Sequence, residues 1–356
     1  MNLVWDLTWK CNLRCKHCLA YDSLSEEATE LSLAGKVELI DYAISQYGLK
    51  QVHLIGGEPF ASSDIMQLLH YLQFRRIPTT VVTNGTLLDE TRAEYILSKI
   101  ELPIKIVFSL DGPDAATNDA IRGAGVYDRC IANLAFLLKL ADSLGKRALL
   151  RVSIAGTFNA INLSCLQSYV HLAEGLGVDE LSIGELAESG NAVNNYDTLI
   201  IRDKSELVSA VRSLYRAYAS RSCTYRLIID LPPRIIRQLN ETYKVNSITQ
   251  SAPCSVLRNS VRIDGNGSLY KCKYIRVSNR ISATVKSKDY YVNDASYADF
   301  PTDELRCLIA TSYEANRNLT KDIECEYAKS CLSCLDGEGL SNSCELCVLF
   351  AECTRY

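Results

Sequence analysis

From Leu3 to about Glu185 the chain alternates short apolar runs with longer amphipathic ones, and this alternation limits the fold more than any single residue does. LVWDLT, QVHLIG, TTVVTN, IKIVFSL, ALLRVSI and DELSIGE have the length and β-branched content of buried strands. Between them lie helix-period segments such as LAGKVELIDYAISQYG, SDIMQLLHYLQFR and DETRAEYILSKI. Strand–helix units of this length predict a parallel α/β sheet with right-handed crossovers. Six units make either a doubly wound sheet or an incomplete barrel. In both, ligands gather at the carboxyl ends of the strands.

Beyond residue 190 the pattern weakens. Residues 191–250 read as a helical connector with one short strand, YRLIID. Residues 251–356 open with SVRIDGNGSLYKC, where Gly265-Asn266-Gly267 suits a tight hairpin. They then become cysteine-rich and lose periodicity. The expected organisation is therefore a core over 1–190, a connector over 191–250 and a metal-stabilised module over 251–356.

With 356 residues, 22% of them charged, and a net charge of −4, nothing in the chain favours a nucleic acid or an anionic membrane as partner. No apolar run approaches the roughly 18 residues that span a bilayer. No signal peptide is apparent, so a cytoplasmic location is expected. Fifteen cysteines in a reducing compartment point to metal ligation or redox chemistry rather than disulfides. Cys130, Cys165 and Cys223 are scattered and read as small buried hydrophobes.

Cys11, Cys15 and Cys18 follow the first strand immediately, in the spacing C-x3-C-x2-C. A structural zinc site takes four ligands. A redox C-x2-C pair would leave Cys11 idle. An iron–sulfur cluster uses all three thiolates and leaves one iron open. The spacing resembles the radical S-adenosylmethionine (SAM) enzymes, and further elements follow in the family's order. They are Gly56-Gly57-Glu58-Pro59 after the second strand, Thr83-Asn84-Gly85 after the third, and Ser109-Leu110-Asp111-Gly112 after the fourth. Asn118-Asp119-x-x-Arg122-Gly123 comes next. The resemblance implies a partial (β/α)6 barrel, a 4Fe-4S cluster on Cys11, Cys15 and Cys18, and radical cleavage of S-adenosyl-L-methionine. It also implies cofactor contacts from Gly56, Gly57, Glu58, Pro59, Thr83, Asn84, Ser109, Asp111, Arg151 and Ile154. Glu58 would receive the methionine ammonium and Arg151 a carboxylate. The family's fifth-strand pattern G-x-I-x-G-x-x-E is degraded here, with Val152 and Asn159 at its ends.

Cys254, Gly267 and Cys272 are similar to the opening of the SPASM module, a twitch-like extension that carries auxiliary 4Fe-4S clusters. Two registers compete for its continuation. One uses Asp322, Cys325, Cys331 and Cys334; the other uses Cys344, Cys347 and Cys353, with its last position beyond Tyr356. Val261 stands where some relatives have an extra Cys, so Cys307 is a candidate to complete a cluster. The thiols from Cys254 onward suffice for two auxiliary clusters. A zinc ribbon on Cys331, Cys334, Cys344 and Cys347 fits the same residues.

SPASM-bearing enzymes mostly modify peptides or proteins, and WDLTWKCNLRCKHCL resembles maturases of ribosomally made peptides, mycofactocin and splicease types among them. The expected substrate is a precursor peptide, and the most specific reading is excision of a tyramine unit from its backbone. Side-chain cross-linking to a cyclophane, epimerisation and sulfatase-type oxidation of a protein residue are the alternatives, and a non-catalytic zinc- or cluster-stabilised binding protein is the bland one. Ten residues ahead of Cys11 leave no room for a leader-recognition domain, so a separate small leader-binding (RRE-type) protein is expected. The resemblance also implies an electron donor such as flavodoxin or ferredoxin.

Overall fold

The computed structural model describes residues 1–187, 189–231, 233–248, 260–265 and 269–270. The strands are β1 (Asn2–Thr8), β2 (Gln51–Gly56), β3 (Thr79–Thr83), β4 (Ile104–Ser109), β5 (Leu150–Phe158), β6 (Glu180–Glu185), β7 (Arg226–Ile229), β8 (Ser260–Asp264) and β9 (Leu269–Tyr270). Together they form one nine-stranded sheet in the order β7-β6-β5-β4-β3-β2-β1-β8-β9. Neighbours from β7 to β8 are parallel, and only β8 and β9 pair antiparallel.

Strands β1 to β7 lie side by side in sequence order. A doubly wound sheet would reverse direction at its first strand. Right-handed crossovers without a reversal put every connecting helix on one face, which is the barrel-like arrangement. The helices are α1 (Leu33–Tyr47), α2 (Ile65–Phe74), α3 (Glu90–Lys99), α4 (Ala115–Arg122), α5 (Val126–Ser143) and α6 (Ser168–Leu176). Their starts are set by short polar caps: Ser32, Asp89 and Asp114 accept from the amides of Gly35, Arg92 and Thr117. Such a cap is worth about 1 kcal/mol.

Alternation along each strand divides the sheet into two faces. Leu3, Trp5 and Leu7, then Val52 and Leu54, Ile104, Ile106 and Phe108, Val152 and Ile154, and Leu227 and Ile229 belong to the core beneath the helices. The opposite face carries Asp6, His53, Thr80, Lys105, Arg151, Ser153, Glu180 and Arg226. It is polar, and none of these residues belongs to the core cluster.

Three strands, β7, β8 and β9, extend the sheet beyond the six of the expected core. β7, inside the expected connector, pairs with β6. β8, the first strand of the expected hairpin, pairs with β1 through Leu3↔Val261 and Asp6↔Asp264. The hairpin itself is present as the β8–β9 pairing. Cys254, Cys272, Cys307, Cys325, Cys331, Cys334, Cys344, Cys347 and Cys353 lie outside the described residues. Of the three scattered cysteines, Cys130 is fully buried as expected, whereas Cys165 and Cys223 are only half-buried.

Candidate functional site

The loop after β1 is held from three sides, through its backbone on two and through the Asn12 side chain on the other. From β2, the Gly57 amide donates to Thr8 O at 2.7 Å and the Glu58 amide to Lys10 O at 2.8 Å. The two glycines make this approach possible. A Cβ on Gly57 would stand 2.3 Å from the Lys10 carbonyl oxygen, and one on Gly56 2.6 Å from that of Thr8. Gly56 also has φ +126°, outside the range L side chains adopt readily.

From the third strand's end, Asn84 Nδ2 donates to Asn12 Oδ1 at 2.9 Å, and Asn12 Nδ2 donates to Thr86 Oγ1 at 2.8 Å. The third side was not foreseen from sequence. After β6 comes the short helix α7 (Asn191–Asn194), preceded by Gly190 at φ +60°. The Asn191 amide donates to Cys18 O at 3.0 Å, and its Nδ2 donates to Cys15 O at 2.9 Å. Asn195 Nδ2 reaches Lys16 O at 3.3 Å. A Cβ on Gly190 would strike Cys18 O at 2.4 Å.

Within this clamp Cys15 is buried, and Cys11 and Cys18 are half-buried. Burial pushes the Cys11 thiol up to about 12 and Cys18 to about 11, and it raises Cys15 as well. Mutual repulsion contributes: Cys15 and Cys18 each push Cys11 up. Three thiols whose charged forms are disfavoured chiefly by burial, and secondarily by one another at Cys11 and Cys18, form a donor set suited to a strongly cationic group. Among the described residues, no three His, Cys, Asp or Glu side chains converge closely enough for a single ion. A tetranuclear cluster spreads its thiolates wider than one zinc does, so this donor set fits the cluster better than zinc.

Glu58 is completely buried beside this loop. Its carboxylate accepts from Phe60 N (3.1 Å), Thr83 Oγ1 (2.7 Å) and Asn84 N (2.7 Å). Burial raises its pKa, although all three donors work the other way. A carboxylate has about four acceptor positions, so one remains. Pro59 opens a single 3-10 turn, capped by Glu58, that carries the chain towards α2.

Across the site, Asp111 is completely buried. Its Oδ1 accepts from Thr157 N at 2.7 Å. Its Oδ2 lies 2.6 Å from Arg122 Nε and 3.2 Å from His17 Nε2. Burial works against the Arg122 charge, but Asp111, helped by Cys15, Cys130 and Tyr169, outweighs it and raises its pKa. Burial lowers His17, again opposed by Asp111. Gly112 is a contact point too, since a Cβ there would stand 2.3 Å from Asn118 N. Thr83, Asn84, Glu58 and Asp111 thus lie against the cysteine loop at one rim, and Ser109 ends β4 at the same edge of the sheet.

Two expected contacts are not brought to this rim. The fifth strand was placed at residues 148–154 but runs Leu150–Phe158, so Arg151 lies at its amino end. There it is in register with Lys105 and faces Glu180 at 3.7 Å. Ile154 is fully buried in the core beneath the helices. The strand instead presents Thr157, through its amide on Asp111, together with the buried Asn159 and Asn162 that follow it. His53 is half-buried on β2, on the polar face.

Residues 7–142 match the Radical SAM superfamily. Mycofactocin maturase MftC of Mycolicibacterium smegmatis is 29% identical over 197 residues, covering 55% of this chain and 47% of that protein. An AdoMet-dependent heme synthase of Nitratidesulfovibrio vulgaris is 28% identical over 199 residues, covering 56% and 51%. The chain thus spans about half the length of the curated relatives it matches. Streptococcus suis SuiB bound to S-adenosylmethionine superposes with a TM-score of 0.60 at 19% identity, covering 85% of this chain and 64% of that one. For anSMEcpe with bound AdoMet the TM-score is 0.64 at 15% identity, covering 99% and 96%. With the sheet order and the three-cysteine loop already in place, these likenesses show that residues 7–142 match the radical SAM family model and that the chain shares the fold of SuiB and anSMEcpe.

Proposed function

We propose that this chain is a radical SAM enzyme that modifies a ribosomally made precursor peptide. One observation carries the reading: three buried or half-buried thiols sit on a loop clamped by the GGEP, TNG and Asn191 segments, with Glu58 and Asp111 beside them. Cys11, Cys15 and Cys18 hold the cluster. With S-adenosyl-L-methionine bound, the cluster supplies the power to abstract a hydrogen atom from an unactivated C–H bond.

The chain's own residues bind and orient. Glu58, fixed by three donors, would receive the methionine ammonium on its remaining acceptor position. Asn84 and Thr86 hold Asn12, and through it the first turn of the cysteine loop. Asp111 fixes Arg122 and His17 against the far side of the site, and Ser109 lies beside it at the rim. Peptide modification is drawn from the relatives named as mycofactocin maturases and from a SuiB structure described as bound to precursor peptide SuiA. Backbone excision of a tyramine unit is the specific reaction we favour. A separate leader-binding protein and a flavodoxin or ferredoxin electron donor belong to the same reading, as do two auxiliary clusters on the cysteines from Cys254 onward. Among the described residues no helix is long and apolar enough to cross a membrane.

Anaerobic reconstitution, iron analysis and incubation with the precursor peptide test this reading. Three clusters bring about twelve irons per chain, and one cluster about four. The expected product has lost the mass of one tyramine unit. Absence of 5′-deoxyadenosine after reduction with S-adenosyl-L-methionine rejects the enzymatic reading altogether.

A further inference from the structure

On the polar face, at the opposite ends of the same strands, Lys105, Arg151 and Arg226 surround one buried carboxylate, Glu180. Lys105 pairs closely with Glu180 Oε2. The two guanidiniums approach Oε1 only loosely, Arg151 at 3.7 Å and Arg226 at 3.9 Å. Glu180 neutralises one of three cations, so the cluster keeps an excess of two positive charges.

The arginines are underused. Each guanidinium offers five N–H donors in a planar fork that matches a carboxylate. Among the described residues neither forms a hydrogen bond, whereas in the Asp6–Arg262 pair on the same face Nε and an Nη atom each reach a carboxylate oxygen at 3.0 Å. Both side chains are half open to solvent, 55% for Arg151 and 51% for Arg226. A second observation points the same way. Ser153 lies two residues after Arg151 on this face and is in register with Glu180. The residue is 1% exposed, and among the described residues its hydroxyl has no hydrogen-bond partner. Buried hydroxyls are normally satisfied.

We propose that this amino-end mouth of the barrel is an anion site that takes a carboxylate of the substrate polypeptide, held by the Arg151 and Arg226 forks. The chain's net charge of −4 argues against a nucleic acid or another extended polyanion, whose binding needs a basic field over a broad surface. A local excess of two charges with fork geometry suits a short acidic segment or a chain terminus. This inference rests on the peptide-modifying reading above, and it places the acidic part of the substrate at the end of the strands away from the cluster.

The test uses reconstituted holoprotein and three fluorescein-labelled peptides in anisotropy titrations. One has four glutamates and an amidated end, one has four glutamines and an amidated end, and one has four glutamines and a free carboxyl terminus. The wild type should bind the glutamate peptide on the order of tenfold more tightly than the amidated glutamine peptide, with the margin shrinking as salt rises. The Arg151→Gln/Arg226→Gln double variant should lose that margin. Preference confined to the free carboxyl terminus keeps the site and assigns it to a chain end. Equal binding of all three peptides, or a preference that survives in the double variant, overturns the proposal. If the double variant does not fold, the two single glutamine variants give the same reading, each losing part of the margin. A parallel 5′-deoxyadenosine assay separates the two readings. Cofactor cleavage without carboxylate preference removes this site alone. Arginine-dependent carboxylate preference without any peptide modification removes the proposed reaction and leaves the site.

Discussion

At the carboxyl ends of β1 to β6 backbone touches backbone, whereas at the amino ends of β4 to β7 long charged side chains reach over open space. The first end is built from glycines, amides and short asparagines, with hydrogen bonds of 2.7 to 3.3 Å and glycines packed so closely that an added Cβ would clash. The second is built from Lys105, Arg151 and Arg226 around Glu180, with two of its three pairings beyond hydrogen-bond distance. A rigid end suits a cofactor whose position must be fixed before chemistry begins. A loose cationic end suits a ligand that arrives, adjusts and leaves. The same strands therefore carry two kinds of site, distinguished by which atoms do the holding.

Adding a single methyl group at the rigid end tests that distinction most severely. Gly57→Ala drives a Cβ into the Lys10 carbonyl, a backbone atom that cannot swing aside. The destabilisation should reach about 3 kcal/mol or more, together with loss of iron in reconstitution. Gly184→Ala is the control, because its nearest neighbour stands 3.9 Å away. Equal iron content in the two variants would mean that the rim tolerates movement and that the contrast between the ends is false.

Asn191→Ala comes next. It removes the side-chain donor to Cys15 O but leaves the backbone amide on Cys18. The expected loss is about 1–3 kcal/mol, with faster iron release under chelation and altered electron paramagnetic resonance of the reduced cluster. Unchanged resonance and unchanged iron retention would reduce α7 to a bystander.

These residues also show what was legible beforehand. Cys11, Cys15, Cys18, Glu58 and Asp111 stand in short motifs directly after strands, so local pattern was enough to place them. Asn191 contacts Cys15 across 176 residues, and no periodicity carries information over that separation. Arg151 was misplaced because strand boundaries are blurred where apolar residues precede the strand. Ala148 and Leu149 extend the apolar run, but they fall in a 3-10 turn. Arg151 falls in the middle of the expected run ALLRVSI but second in the observed strand, so the shift takes its side chain from mid-sheet to the amino end. For β8, alternation and the Gly-Asn-Gly turn identified a hairpin but not its parallel neighbour, because any exposed edge accepts a strand of suitable pattern. The sequential order of β1 to β7 was the step that distinguished a barrel from a doubly wound sheet, and it is a property of pairing, not of composition.

A smaller effect concerns the support beneath the rigid end. Glu30 accepts from Thr8 Oγ1 at 2.7 Å, at the last residue of β1, and from Ser62 and the fully buried Lys36. Burial alone would raise its pKa, but the hydrogen bonds from Ser62 and Thr8 and the Lys36 charge outweigh burial and hold it below the usual carboxylate range. A depressed folded pKa contributes stability above the unfolded value, and that stability is lost as pH falls through the folded one. Glu30→Gln should therefore melt lower than wild type by about 1–2 kcal/mol at neutral pH. The gap should narrow as the medium is acidified below the ordinary carboxylate range. A gap that widens in acid would reverse the sign of the argument.

The least effect is expected at the loose end. Arg151 is half exposed, and its approach to Glu180 is too long for a hydrogen bond. Exposed pairs of this kind contribute about 0–1 kcal/mol, less in salt. Arg151→Gln should leave the melting temperature close to that of the wild type. Lys105→Met should lower it, because the closest partner of a buried carboxylate is then lost and Glu180 depends on two distant guanidiniums. If Arg151→Gln were the more destabilising of the two, the arginine would be bearing structural load. The amino end would then resemble the carboxyl end in kind, and its side chains would no longer be spare for a ligand. Equal melting of Arg151→Gln and wild type, alongside a lost preference for carboxylate peptides, would separate stability from binding at this end of the barrel.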